Sequence, residues 1–82
     1  MEGTVQSPEL VRVFAANVKS RRKELKLTQA QLAEMVKVTQ PCIAQIEKGH
    51  RSPSVEFLAP LADALKTTPD ALLTPKIFSE VA

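Results

Sequence analysis

Cysteine and histidine are scarce in this sequence, which contains one of each, Cys42 and His50, among 82 residues. A single cysteine excludes an intramolecular disulfide, and the two residues together leave no local cluster for zinc. Paired carboxylates, a glycine-rich phosphate loop and an activated nucleophile are also missing. We therefore expect no enzyme activity, no metal and no cofactor, and a fold stabilised by packing alone.

Long apolar runs are absent as well. No segment approaches the ~18 consecutive apolar residues that span a membrane. The first ten residues, MEGTVQSPEL, lack the basic and apolar regions of a signal peptide. We expect a soluble cytoplasmic protein with no membrane partner. A hydrophobic content of 44% in 82 residues fits one domain with one core, and leaves no room for a small-molecule pocket of usual size.

The net charge of +2 hides an uneven distribution. Residues 12–51 contain nine basic and three acidic residues, an excess of six positive charges, whereas the two ends together are acidic by four. A basic middle suggests a surface that faces a polyanion. On charge alone, a solvated basic helix face explains the pattern equally well. The basic residues are Arg12, Lys19, Arg21, Arg22, Lys23, Lys26, Lys37, Lys48 and Arg51.

Caps and apolar periodicity predict five helices. Ser7 and Pro8 form an N-cap followed by proline at the first helical position, and helix 1 runs from Pro8 to about Glu24. Residues at spacings of three and four then form its stripe. They are Val11, Ala15, Val18, Arg22 and Leu25.

Helices 2 and 3 begin with the same pair, Thr followed by Gln. Thr28 caps helix 2, and Gln31 completes a capping box. After a turn at residues 37–38, Thr39 caps helix 3, which Gly49 ends because glycine adopts a left-handed conformation at low cost. The residues expected on the buried sides are Leu32, Ala33, Val36, Ile43 and Ile46.

Two further helices follow the loop HRSPS. Ser54 is expected to cap helix 4, where Pro60 predicts either a bend or a late start to the regular helix. Thr68 and Pro69 begin a short helix 5, which continues to about Leu73. The apolar stripe of helix 4 is Val55, Leu58, Leu61, Ala62 and Leu65.

These elements divide the chain into three parts. Residues 1–7 form a flexible N-terminal arm, residues 8–75 the helical domain, and residues 76–82 a tail in which a further helical turn could join a dimer interface. For four apolar residues, a place in the core and a place in a dimer interface are both open. They are Leu72, Leu73, Ile77 and Phe78.

Two short helices joined by a tight turn form a helix-turn-helix, whose second helix can lie in a major groove while the first braces it. The outward face of helix 3 is polar. Glutamine offers a donor and an acceptor on one amide, which suits bidentate pairing with adenine, and a threonine hydroxyl can reach a phosphate or a base edge. The outward residues are Thr39, Gln40, Ala44, Gln45 and Lys48.

Gln29 has a different setting from the glutamines of helix 3. It lies at the N-terminus of helix 2, where backbone N–H groups favour a phosphate oxygen. The glutamines could therefore serve different purposes, Gln29 binding the DNA backbone and Gln40 reading bases. Taken singly, any of these glutamines is better explained by ordinary helix polarity.

Residues 18–54, VKSRRKELKLTQAQLAEMVKVTQPCIAQIEKGHRSPS, resemble the helix-turn-helix core of the lambdoid phage repressor and Cro family, which includes the Xre-type regulators. With helix 4 the resemblance extends to Leu73 and covers most of the chain. It implies a compact all-α domain of five helices, the lambda-repressor-like DNA-binding fold. The expected function is sequence-specific transcriptional regulation through major-groove reading of operator DNA by helix 3.

The resemblance also assigns roles to residues. The base-reading residues would be Thr39, Gln40 and Gln45. The phosphate-binding residues would be Gln29, Lys48, His50 and Arg51. A buried salt bridge between helices 1 and 3 would be formed by Arg22 and Glu47.

Two positions depart from the family pattern. Lys37 stands where the turn commonly has glycine, so either the backbone adopts a positive φ or the turn differs. Pro41 removes one donor from the first turn of helix 3. Base reading would thus rest mainly on the glutamines. For four basic residues, a solvated face and a DNA contact are equally good explanations. They are Lys19, Arg21, Lys23 and Lys26.

The expected partner is double-stranded DNA with a pseudo-palindromic operator, bound by a homodimer whose recognition helices lie roughly 34 Å apart. Repression would follow from blocking RNA polymerase, and activation from contacting it. The chain also resembles stand-alone regulators such as restriction–modification controller proteins. The alternative is an antitoxin or adaptor whose main partner is another protein.

Overall fold

Five α-helices make up this computed structural model, which describes residues 8–52 and 54–75. In chain order they are α1 (Pro8–Glu24), α2 (Gln29–Val36), α3 (Gln40–Glu47), α4 (Val55–Ala64) and α5 (Pro69–Leu72). The predicted all-α fold with five helices is confirmed. The predicted cap at Ser7, the arm of residues 1–7 and the tail of residues 76–82 lie outside the described residues.

Side chains cap three of the helix starts. The Thr28 hydroxyl accepts the Gln31 backbone N–H at 3.0 Å, and the Gln31 side chain accepts the Thr28 N–H at 2.8 Å, which is the predicted capping box. Thr39 and Thr68 cap α3 and α5 through their hydroxyls. Ser54 is the N-cap residue of α4, as predicted, but its side chain makes no capping hydrogen bond.

Each of the first four helices is followed by a residue with positive φ: Lys26 at 60°, Lys37 at 66°, Gly49 at 79° and Lys66 at 57°. The left-handed residue turns the next N–H groups back onto the last carbonyls of the helix. Gly49 therefore ends α3 as predicted, and Lys37 takes the positive-φ alternative. Left-handed backbone is unfavourable for lysine, but its charge suits the negative end of a helix.

The core lies where all five helices meet. Helix α2 packs against α3 and α4, α1 packs against α3 and α5, and α4 packs against α5. Phe14 is fully buried although the predicted stripe omitted it, whereas Val11 and Leu25 are only half-buried at the edges of that stripe. The largest fully buried side chains are Phe14, Val18, Leu32, Ile43, Ile46, Leu61, Leu65 and Leu72.

Helix α4 begins at Val55, so the late start is wrong, and Pro60 lies inside it. Proline has no N–H for the Glu56 carbonyl, which is tolerated on the exposed side of a helix. Leu58 is half-buried, whereas Leu61, Ala62 and Leu65 are buried. Leu72 belongs to the core and Leu73 is partly buried against it.

Candidate nucleic-acid interface

The turn between α2 and α3 is closed by its own backbone. Lys37 is left-handed, and the Val38 N–H donates to the Ala33 carbonyl at 2.9 Å. Below the turn, Leu32 of α2 and Ile43 of α3 are fully buried. Helix α3 is thereby held against α2 while its first turn stays at the surface.

Helix α3 has one buried and one exposed face. Ile43 and Ile46 have no exposed surface, because they dock the helix on the core. Four polar residues of α3 and its two caps are exposed: Thr39, Gln40, Gln45 and Lys48. These include the three residues expected to read bases. Ala44, also expected on the outward face, is half-buried.

An ion pair joins α1 to the last residue of α3. Arg22 Nε lies 2.6 Å from Glu47 Oε2, and Nη2 lies 3.0 Å from Oε1. The two side chains are 11% and 3% exposed, so the pair is buried. Arg22 Nη1 also donates to the Leu27 carbonyl at 2.7 Å. Hydrogen bonding to Glu47 raises the pKa of the Arg22 guanidinium, although burial opposes the shift.

Gln29 connects this ion pair to the exposed face of α3. Its Nε2 donates to Glu47 Oε1 at 3.0 Å, and its Oε1 accepts from Gln40 Nε2 at 2.6 Å. The sequence suggested separate purposes for Gln29 and Gln40, but the structure brings them into direct contact. The repeated Thr-Gln pair was the available signal, since it places both amides at the first position of adjacent helices.

A second contact links the far end of α3 to the loop and to α4. Arg51 Nε donates to Gln45 Oε1 at 3.1 Å, and its guanidinium carbon lies 5.7 Å from the centre of the Phe57 ring. Both Gln45 and Arg51 remain exposed, as does His50. Gln45 and two of the residues expected near phosphates therefore lie close together in the chain at the surface.

The basic middle of the chain forms few ion pairs with the residues that the structure describes. Within residues 8–52 and 54–75, two of its nine basic residues face carboxylates, Arg21 with Glu24 and Arg22 with Glu47. The other seven are all exposed. They are Arg12, Lys19, Lys23, Lys26, Lys37, Lys48 and Arg51. A polyanion would therefore meet a surface whose positive charge is accessible.

Two polar side chains of α1 have structural partners that the sequence patterns did not reveal. Asn17 is 4% exposed, and its Nδ2 donates to the carbonyls of Ala71, Leu72 and Thr74 at 2.9 to 3.2 Å. Arg21 Nε donates to the Leu65 carbonyl at 2.8 Å. Both side chains satisfy carbonyls at helix C-termini.

Arg21 is thus committed to the end of α4, where Nη2 also donates to the Lys66 carbonyl at 3.1 Å. The sequence predicts either a solvated position or a DNA contact for Arg21, and the structure shows this different role. Because Asn17 shares a face with Phe14 and Val18, its polar side chain within an apolar stripe was the available signal.

Within residues 8–52 and 54–75, His, Cys, Asp and Glu side chains form no group of three that could hold a metal ion. Over the same ranges, no helix is both long enough and apolar enough to cross a bilayer.

Known proteins are similar to this chain in sequence and in fold. Residues 18–72 match the helix-turn-helix family HTH_3. Repressor protein C2 of Salmonella phage P22 is 39% identical over 61 residues, which are 74% of this chain and 28% of the phage protein. This chain therefore spans less than a third of that repressor's length.

Solved structures agree with the sequence comparison. The crystal structure of the P22 c2 repressor with a synthetic operator has a TM-score of 0.71 and 39% identity, covering 74% of this chain and 92% of that one. The restriction–modification controller protein C.AhdI of Aeromonas hydrophila gives a TM-score of 0.71 at 26% identity, covering 76% and 94%.

The fold defines a DNA-binding helix-turn-helix domain of the lambda-repressor-like class. The chain belongs to the helix-turn-helix family of transcriptional regulators, of the Xre or Cro/C1 type.

Proposed function

We propose that this protein regulates transcription by reading operator DNA in the major groove with α3, as a homodimer. The observation that carries the proposal is the division of α3 into a fully buried apolar face and an exposed face with Gln40 and Gln45. A helix presented this way can enter a major groove, which an α-helix fits. The P22 c2 repressor was crystallised with operator DNA, and its likeness to this chain supports the proposal.

Base reading is assigned to residues at both ends of α3. Gln40 lies in the first turn and Gln45 in the last, so they can address base pairs along the groove. The Thr39 oxygen accepts the Cys42 N–H at 3.3 Å, which leaves its hydroxyl hydrogen to donate to a base or a phosphate. Amide and hydroxyl groups of this kind discriminate base edges in the major groove.

Phosphate binding is assigned to the residues that flank the reading face. One Nε2–H of Gln29 is used by Glu47, and the other can donate to a phosphate oxygen beside the N-terminus of α2. Lys48, His50 and Arg51 are exposed after α3, where the backbone of the same groove would pass. Contacts of this kind position the protein and make its affinity depend on salt.

The homodimer would bind two half-sites about one helical turn apart, which a pseudo-palindromic operator supplies. Repression would exclude RNA polymerase from overlapping DNA, whereas activation would need a direct contact with it. The dimer and polymerase contacts rest on the same family membership as the DNA reading.

A protein partner is the second candidate function, because one feature favours an antitoxin or adaptor. Met35 is 49% exposed and lines a groove of about 260 Å³ with Pro60, Asp63 and Ala64. Exposed methionine adapts readily to partner surfaces. This groove lies between α2 and α4, and so does not include the polar face of α3.

Selection from a randomised duplex pool tests the proposal. We expect a selected site bound ~10³-fold or more above the pool, with two half-sites whose spacing reports the symmetry. Sedimentation of the protein on that site should give two chains per duplex. Weak binding without enrichment at two salt concentrations would contradict it and favour the protein-partner function.

A further inference from the structure

The contacts among four side chains form one continuous path from the protein interior to the proposed reading face. Arg22 pairs with Glu47, Glu47 accepts from Gln29, and Gln29 accepts from Gln40. Glu47 is 3% exposed in its side chain, Gln29 is half-buried and Gln40 is exposed. The path therefore crosses from a buried charge to an amide at the surface.

The direction of each hydrogen bond along this path follows from its buried end. A carboxylate that is paired with a guanidinium, as Glu47 is with Arg22, can only accept hydrogen bonds. Gln29 must therefore turn its NH₂ group toward Glu47 and its oxygen toward Gln40. That oxygen can only accept, so Gln40 must in turn approach with its own NH₂ group. One charge fixes the orientation of two amides.

This orientation decides what Gln40 offers to DNA. One of its two N–H groups is used by Gln29, which leaves one N–H donor and the Oε1 acceptor. In the major groove, adenine presents an acceptor at N7 and a donor at N6, which a donor–acceptor pair complements.

The opposite orientation would have a different preference. If Gln29 turned over, its NH₂ group would donate to the oxygen of Gln40, and both N–H groups of Gln40 would point outward. Guanine presents two acceptors, N7 and O6, in the major groove and suits a pair of donors. The same glutamine would then favour guanine.

We propose that Glu47 is a positioning residue that sets the base preference of Gln40, through Gln29, to adenine over guanine. This inference rests on the proposed function of α3. It assigns to the buried ion pair a part in specificity, in addition to joining α1 and α3.

The experiment compares selections from a randomised duplex pool by five forms of the full chain. Gln40→Ala identifies the base pair that Gln40 reads, as the position that loses its preference. Glu47→Gln replaces the carboxylate with an amide of the same shape, and Gln29→Ala removes the link without disturbing the ion pair. Arg22→Lys is the matched control, because it weakens the same ion pair but retains the carboxylate.

Competition between two duplexes that differ only at that base pair gives the preference. We expect wild type and Arg22→Lys to favour adenine over guanine by about fivefold or more, and Glu47→Gln and Gln29→Ala to favour it by about twofold or less. Gln29→Ala keeps the test valid if Glu47→Gln fails to fold.

Four results would overturn the inference. Retention of the adenine preference in Gln29→Ala would mean that the link does not orient Gln40. Its loss in Arg22→Lys as well would mean that packing of the ion pair, not the carboxylate, sets the preference. Selection of another base at this pair by wild type would contradict the assigned orientation. A wild-type chain that enriches no site would overturn the proposed function along with the inference.

Discussion

Helix α1 contacts two halves of the molecule through polar side chains, and the two sets of contacts have different partner groups. Helices α2 and α3, which we propose to read DNA, are called the reading half. Toward this half, Arg22 meets the side chain of Glu47, and the contacts continue to an exposed amide. Toward the bracing half, formed by α4 and α5, Asn17 and Arg21 donate to backbone carbonyls at helix ends.

The difference separates two uses of buried polarity. Contacts that end on backbone carbonyls fix the position of a helix, and they do not continue to a side chain at the surface. Contacts that run through side chains can orient a group at the surface, because each amide has an oxygen that accepts and an NH₂ group that donates hydrogen bonds. We therefore expect changes in the bracing half to alter stability alone, and changes in the reading half to alter stability and DNA preference.

The largest effect is expected at the ion pair of the reading half. Arg22→Met would leave Glu47 buried without its partner, and should lower the free energy of unfolding by about 3 to 5 kcal/mol. Urea denaturation measures the change. The double variant Arg22→Met, Glu47→Leu should recover part of it, since no charge is left unpaired. A loss below 1 kcal/mol on this scale would mean that the pair contributes little to the fold.

The comparable change in the bracing half is Asn17→Ala. It removes the donor that three carbonyls share at the end of α5, and should lower the free energy of unfolding by about 1 to 3 kcal/mol. The exposed neighbour Lys19→Ala is the control and should change stability by less than about 0.5 kcal/mol.

The bracing-half variant should also keep the DNA preference of wild type. Selection from a randomised pool, below the melting temperature of Asn17→Ala, checks this point. An altered preference would break the distinction between the two halves.

Within the reading half, base and phosphate contacts should be separable. Gln45→Ala should weaken binding to a selected site by about 1 to 3 kcal/mol and relax one base position. Lys48→Ala should weaken binding to all sequences and lower the slope of log affinity against log salt by about one. Anisotropy titrations over a range of salt measure both. An unchanged slope would mean that Lys48 contacts no phosphate.

The smallest effects concern the left-handed residues that end the helices of the reading half. Lys37→Gly should raise the free energy of unfolding by about 0.5 to 1 kcal/mol, because glycine relieves the positive φ at some entropic cost. Gly49→Ala should lower it by about 1 kcal/mol.

Thermal denaturation of the two variants tests this pair of predictions. A Cβ at Gly49 would lie 4.0 Å from Val11 Cγ1, an ordinary contact, so the penalty there comes from the backbone. Changes of the same sign in both variants would contradict the explanation by backbone conformation.

The helices and their starts could be predicted from sequence because their signals are local. Thr28 and Gln31 lie three residues apart, and Gly49 ends α3 by its own conformational freedom. Which residues of α1 belong to the core was harder to predict at the edges of the apolar stripe. Phe14 and Val11 are both apolar and lie on the same helix, yet Phe14 is fully buried and Val11 only half-buried.

The bracing contacts were beyond local reasoning. Asn17 meets a carbonyl 55 residues away and Arg21 meets one 44 residues away. Such pairs depend on how helices cross, which neither periodicity nor caps specify. The contact between Gln29 and Gln40 spans 11 residues, and its orientation depends on Glu47, a residue that the sequence linked only to Arg22.

The most direct test is an anisotropy titration of wild type and Gln40→Ala against a duplex selected by wild type and against a scrambled duplex of equal length and salt. If α3 reads bases, wild type should bind the selected duplex ~10³-fold more tightly, and Gln40→Ala should lose affinity for that duplex alone. Equal losses on both duplexes would contradict the account, because Gln40 would then bind DNA without reading it.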